Sequence, residues 1–131
     1  MEKGESLRSP FDELIGTEWV SDDPDDARVR VAFRDDLCQP AGQVHGGLFS
    51  SLVESVCSRA TFLAVADQGM TAMGQSHSIS FMRAINEGTI EVRARARHRG
   101  RTTWVWDAEV SDSEGRLCAI ATFNVAVRPM R

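Results

Sequence analysis

The sequence predicts an α+β fold in which one long apolar helix is wrapped by a curved antiparallel sheet of five or six strands. Three observations carry this. Residues 48–64 repeat apolar side chains at i, i+3, i+4 and i+7 for about four turns. Beyond Gly69, four long segments alternate as strands do: 71–85, 89–98, 102–112 and 117–127. Their links NEG (86–88), RGR (99–101) and SEGR (113–116) are short and contain glycine, which predicts hairpins and a four-strand meander. One helix buries its apolar stripe under so many strands only if the sheet curls around it.

The remaining elements follow in order. SPFDELIG (9–16) reads as a short helix, with Ser9 as N-cap, Pro10 at the first helical position and Gly16 as terminator. TEWV (17–20) and ARVRVAF (27–33) read as strands flanking the acidic turn DDPDD (22–26). In the second, Val29, Val31 and Phe33 share a face. A loop punctuated by Pro40, Gly42, Gly46 and Gly47 then leads into the long helix. Its apolar positions are Leu48, Phe49, Leu52, Val53, Val56, Cys57, Ala60, Leu63 and Ala64. Its polar side carries Ser51, Glu54, Ser55 and Ser58, and it ends near 67–69.

Composition bounds the function. A chain of 131 residues, 42% hydrophobic and 26% charged, is of one-domain size and globular balance. No uninterrupted apolar run reaches a membrane span, and MEKGESLRSP lacks the apolar stretch of a leader peptide, so the expected location is the cytoplasm. A net charge of −4 offers no general attraction to nucleic acid or anionic lipid. Cys38, Cys57 and Cys118 form no CxxC pair and no metal-ligand spacing with the three histidines; they read as reduced thiols, with neither metal nor bound cofactor expected.

The chemistry concentrates in QPAGQVHGGLFSSLVESVCS (39–58). Glu54 is either a solvated helix residue or a base or nucleophile. Its setting favours chemistry: Leu52, Val53, Val56 and Cys57 crowd it, and the polar stripe around it holds only serines. At the helix start, unpartnered N–H groups carry partial positive charge. The glycines there let a carbonyl or oxyanion approach closely. Gly46 and Glu54 lie eight residues apart, roughly 12 Å along a helix. One chain cannot bring both within about 3 Å of one reacting group. A two-fold dimer, with Glu54 of one copy facing Gly46 of the other, solves this.

GQVHGGLFSSLVESVCSRA, together with GQSHSISFMRAINEGTIEVRARARHRGRTTWVWDAEVSDSEGRLCAIAT, resembles the hotdog-fold acyl-CoA thioesterases. The nearest subgroup is the glutamate-bearing 4-hydroxybenzoyl-CoA type, related to the phenylacetate-pathway and enterobactin-pathway thioesterases. The resemblance runs from about Phe11 to Val127. It implies that Glu54 is the catalytic acid and that Gly46 of the opposite subunit polarises the thioester carbonyl. It further implies that Gln39 assists there, that His45 shapes the loop and contacts substrate, and that Ser58 orients the acid or the attacking water. Gly47 belongs to the same helix start. Phe81 and Met82 stand where some relatives have polar residues, which bears on the acyl pocket. A homodimer pairing into a homotetramer is implied as well.

In EVRARARHR (91–99), alternation puts Arg93, Arg95, Arg97 and Arg99 on one face, opposite Val92, Ala94, Ala96 and His98. Such a run is ordinarily a solvated outer face. The resemblance places the hairpin near the nucleotide, which makes Gly100, Arg101 and Thr102 the candidates for coenzyme A phosphates. His77 and His98 have no partners in the sequence and read as structural. Two alternatives stand beside the thioesterase: a hotdog hydratase or dehydratase of 3-hydroxyacyl thioesters, and a non-catalytic acyl-CoA-binding module.

Overall fold

The computed structural model describes residues 7–131. Residues 1–6, on which part of the leader-peptide expectation rests, lie outside the described residues. Helix α1 is Pro10–Ile15. The Asp12 N–H donates to Ser9 Oγ (3.2 Å), and Gly16 closes the helix at a left-handed φ of 80°. Strands β1 (Glu18–Ser21) and β2 (Ala27–Ala32) precede helix α2 (Gly46–Val65). Strands β3 (Met70–Phe81), β4 (Thr89–Arg99), β5 (Thr103–Ser111) and β6 (Leu117–Pro129) follow it. They make one sheet of six strands in the order β1-β2-β4-β5-β6-β3, every pair antiparallel.

This order corrects the four-strand meander. Only β4-β5-β6 is a meander; β3 pairs with β6, so residues 82–88 cross between strands instead of forming a hairpin. The place beside β4 belongs to β2, whose Val29 and Val31 stand opposite Val92 and Ile90, so two apolar faces align. Strand β3 also stops at Phe81, short of the expected 85. The Met82 and Arg83 N–H groups both donate to the Cys118 carbonyl (2.8 and 3.1 Å), which ends the ladder. Ile85, at the centre of the crossing, is buried, and its carbonyl accepts from the Val44 N–H (2.8 Å).

Helix α2 starts two residues before its apolar pattern because His45 caps it: the Gly47 N–H donates to His45 Nδ1 (2.8 Å). Leu48, Phe49, Leu52, Val53, Val56, Cys57 and Ala60 are buried as the periodicity predicts. At the end of the stripe Val65 is buried, whereas Leu63 is half-buried and Ala64 exposed. Arg59, on the polar side, pairs with Asp22 (2.9 Å) and lies over the Trp19 ring at 4.5 Å. By average hydropathy, unlike a count of uninterrupted apolar residues, Gly46–Gln68 is long and apolar enough to cross a membrane, but half of that window is buried in this fold.

One buried polar chain ties helix to sheet. The Trp106 Nε1–H donates to Thr61 Oγ1 (2.9 Å), and that hydroxyl donates to the Cys57 carbonyl (2.7 Å). Trp106 and Thr61 are both fully buried, so neither can turn to water. Thr61→Val should leave the indole N–H without an acceptor and cost about 1–3 kcal/mol, read as a lower urea midpoint at unchanged slope. Thr61→Ser keeps the oxygen and should lose less. Equal losses would assign the effect to methyl packing.

Candidate active site

All the predicted site residues but Thr102 line three separate clefts of one protomer. The first, about 350 Å³, holds Glu54 and Ser58 between α2, α1, Trp19 of β1 and Thr71 and Ala72 of β3. Glu54 is exposed, and among the described residues no group hydrogen-bonds its carboxylate. Ser58 stands one turn on. The other serines of the stripe are engaged elsewhere: Ser51 Oγ donates to the Gly47 carbonyl (2.8 Å), and Ser55 Oγ donates to Asp12 Oδ2 (3.2 Å). Asp12, a buried carboxylate that sequence reasoning did not single out, also accepts from Thr17 Oγ1 (3.1 Å). These bonds clamp α1 onto α2 and build one wall of the Glu54 cleft.

The second cleft, about 510 Å³, gathers Gln39, His45, Gly46, Gly47, Phe81 and Met82, with Arg83 at its edge. The loop that presents Gln39 is pinned rather than free. Gln39 N–H donates to the Gln43 carbonyl (2.8 Å), His45 N–H donates to the Leu37 carbonyl (2.9 Å), and Gly42 turns the chain at φ 84°. The Ala41 N–H donates to Gln39 Oε1, which leaves the amide's NH₂ as its unengaged end. At the helix start the Gly47 and Leu48 N–H groups are taken by His45, whereas the Gly46 N–H has no partner among the described residues. Two donors free to meet a carbonyl oxygen therefore line this cleft, a backbone amide and a side-chain amide. With Nδ1 accepting, the neutral His45 ring carries its proton on Nε2. Glycine at 46 lets the Phe81 ring lie over the helix start: a Cβ there would sit 2.8 Å from Cζ of Phe81 and push the ring aside. Phe81 and Met82, 55% and 50% exposed, form the apolar wall.

The third cleft, about 490 Å³, lies at the other end of α2 and contains Arg99, Gly100, Arg101 and Trp104. Arg101 is exposed and has no ion-pair partner among the described residues. Thr102 is not in the lining; its carbonyl accepts from the Val127 N–H (2.9 Å) and from Arg128 Nη1 (2.8 Å). The arginine run does not keep one face. A register shift between Ala96 and His98 makes Arg97 the extra residue and sets Arg99 opposite the buried Trp104, whose ring its guanidinium covers at 5.6 Å. Arg93 remains outside and pairs with Asp26 (2.7 Å), whose carboxyl is lowered to about 2, chiefly by its hydrogen bond from Arg28 and further by Arg93. Arg99 pairs with Asp25. The run is thus mainly a solvated face stapled to the acidic turn.

The thiols are free; burial alone pushes Cys57 well above the ordinary thiol range, and burial is also the leading cause for Cys38 and Cys118. Among the described residues no cluster of three or more His, Cys, Asp and Glu could hold a metal ion. His77, which the sequence reads as structural, sits on β3 with a buried Nε2 that has no hydrogen-bond partner among the described residues. Burial lowers its pKa, and the charge of Glu54 opposes that shift.

Residues 41–119 match the family model described as the thioesterase superfamily. A provisionally named esterase of Mycobacterium tuberculosis is 32% identical over 125 residues, covering 92% of this chain and 89% of that one. Its solved structure superposes with a TM-score of 0.89 at 30% identity, over 94% of this chain and 99% of that one. The proofreading thioesterase EntH of Cronobacter turicensis is 32% identical over 117 residues, 88% of this chain and 83% of that one. A mutant thioesterase of Pseudomonas aeruginosa gives a TM-score of 0.90 at 29% identity, over 98% and 92% of the two chains. With its buried helix, its curved six-strand sheet and these relatives, the chain belongs to the thioesterase superfamily of hotdog proteins.

Proposed function

We propose that the protein hydrolyses acyl-CoA thioesters in the cytoplasm, as a homodimer with two sites, and that two such dimers pair into a tetramer. One observation carries the reading. The acid and the Gly46 amide, both without a partner among the described residues, lie on one helix but open into different clefts, so each protomer offers two complementary halves. A second copy is also favoured by β3, which pairs only with β6 among the described residues. Its sequence MTAMGQSHSISF has neither proline nor a charged residue to blunt the free edge.

In this site the thioester carbonyl accepts from Gly46 N–H and the Gln39 amide, and its carbon becomes open to attack. Glu54 of the other copy adds to that carbon, or takes a proton from a water that does, with Ser58 aligning it. The tetrahedral oxyanion collapses, the C–S bond breaks, and coenzyme A leaves as a thiolate. If water attacked, the protonated Glu54 returns its proton to that sulfur and the free acid departs. If Glu54 attacked, water then hydrolyses the acyl–Glu54 anhydride, one of its protons going to the acid and the other to the thiolate, and the carboxylate is restored. Phe81 and Met82 line the apolar approach, His45 holds the helix start in shape, and Gly47 lets the cap close: a Cβ there would lie 2.8 Å from His45 Nδ1. Arg101, beside Gly100 and with Thr102 in the same turn, takes a phosphate of coenzyme A.

A thiol-release assay over aromatic, short, medium and long acyl-CoAs tests the reading; binding without release would favour a non-catalytic module, and hydration of an enoyl thioester a hydratase. Glu54→Gln should lower kcat by roughly 10²–10⁴, the worth of a positioned acid or base, while substrate still binds. A variant with wild-type kcat would remove Glu54 from the chemistry. Arg101→Ala should raise KM more than it lowers kcat, because a phosphate contact is made equally in the ground and transition states. The effect should vanish on thioesters that lack the nucleotide. An equal loss on those substrates would assign it to folding.

A further inference from the structure

The inner face of β3 runs along α2 like a ruler. Phe81 marks one end: its ring covers Gly46 and lies 6.1 Å from the Phe49 ring. Ala72 marks the other, in the cleft of Glu54, Ser58 and Phe62. The residues of this face stand opposite the buried side chains of β6: Ala72 opposite Val127, Gly74 opposite Val125, His77 opposite Phe123, Ile79 opposite Ala121 and Phe81 opposite Ala119. The step from 74 to 77 is odd because a register shift between Gly74 and Ser76 inserts one residue. Without that bulge, Ser76 and Ser78 would face the helix and His77 would point away. His77 therefore comes to the middle of the ruler, between the stretch of α2 that meets Phe81 and the stretch that meets Ala72. On α2, Glu54 falls on the stretch between Gly46 and Ser58, and it also lines the Ala72 cleft.

The ring is firmly seated. It stands edge-on to Phe123, with centroids 5.4 Å apart and planes at 80°. Gly74 makes room for the same Phe123, since a Cβ there would lie 2.7 Å from its Cζ. What the seat does not supply is a partner for Nε2, which is buried without a hydrogen bond. Such an orphan costs free energy unless something uses it. The charge felt at the ring is that of Glu54, the one carboxylate of α2, which lines the adjoining cleft and among the described residues also lacks a hydrogen bond. Glu54 is the only charged group whose influence registers at the His77 ring among the described residues, and Phe123 brings none from β6.

We propose that His77 is a positioning residue for Glu54: its Nε2–H donates to the Glu54 carboxylate and holds the acid toward the substrate carbonyl. The inference rests on reading Glu54 as the catalytic acid. It gives the bulge in β3 a purpose and uses the buried orphan. The remaining carboxylate oxygen faces the substrate, so the hydrogen bond orients the acid without consuming it.

The test compares His77→Phe, which keeps the ring against Phe123 but removes the donor, with His77→Gln, whose amide nitrogen reproduces Nε2–H. His77→Phe should lower kcat by about tenfold or more, as expected for one hydrogen bond to a charged group, with KM changed less than about twofold. His77→Gln should recover most of the loss. In a Glu54→Gln background His77→Phe should add nothing. Wild-type turnover in His77→Phe, or a His77→Gln variant as slow as His77→Phe, overturns the proposal. Full turnover in Glu54→Gln would instead overturn the reading beneath it. Imidazole ¹⁵N NMR of the wild-type protein keeps the question open to refutation if His77→Phe fails to fold. His77 should carry its proton on Nε2 when neutral, and its pKa should fall in Glu54→Gln. A titration unmoved by that change contradicts the pairing.

Discussion

A helix cannot fold back on itself, and that constraint governs the site. The amide donors that can hold an oxyanion belong to the first turn of α2, because only there do backbone N–H groups lack partners. The acid belongs to its third turn, where the polar stripe faces the cleft behind α1. The rise of an α-helix sets them roughly 12 Å apart, and the helix is too tightly packed for either to move. Its buried face meets every strand from β2 to β6, and its one interior polar link, through Thr61 to Trp106, fixes it against sliding. Rigid spacing turns an incomplete site into an argument for a second copy.

The same rigidity explains why so much of the machinery is backbone. His45 spends its Nδ1 on the helix cap, and the Gln39 loop spends its hydrogen bonds on holding its own turn. Among the described residues the Gly46 N–H and the Gln39 NH₂ remain unengaged at that end. Donors fixed before substrate arrives need no reorganisation when charge develops, which is where such a site gains rate. At the acid end the logic inverts. Among the described residues Glu54 has no hydrogen bond; the Ser58 hydroxyl shares its cleft, and the buried Nε2 of His77 stands unused on the strand packed against the helix.

Much of this is legible in the sequence, for identifiable reasons. The period of α2, the Ser9 and Gly16 caps and the alternation of β4 to β6 are local signals, and they hold in the fold. The grouping of Gln39, His45, Gly46, Gly47, Phe81 and Met82 in one cleft follows the resemblance. What fails is non-local. Nothing within residues 82–88 says that β2 already occupies the place beside β4, so a crossing was read as a hairpin. Bulges are equally silent. One at Arg97 turns Arg99 onto Trp104, and one after Gly74 turns His77 inward, each by changing the parity of a strand that alternates cleanly on paper. The isolated Gly74 within a strand was the available signal for the second.

The claim that one site needs two chains is tested most directly by mixing two defective protomers. One carries Glu54→Gln; the other carries Gly46→Pro, which removes the amide donor at a helix position where proline is tolerated and, through its Cβ, displaces the Phe81 ring of the same half-site. In a hybrid dimer one site has both defects and the other has neither. Unfolding and refolding the two together should restore about one quarter of wild-type turnover, since half of randomly paired dimers are hybrids with one intact site. Native mass spectrometry counts those hybrids independently. Hybrids present in that proportion with no recovered turnover would mean that Glu54 and Gly46 act within a single chain, contradicting the account.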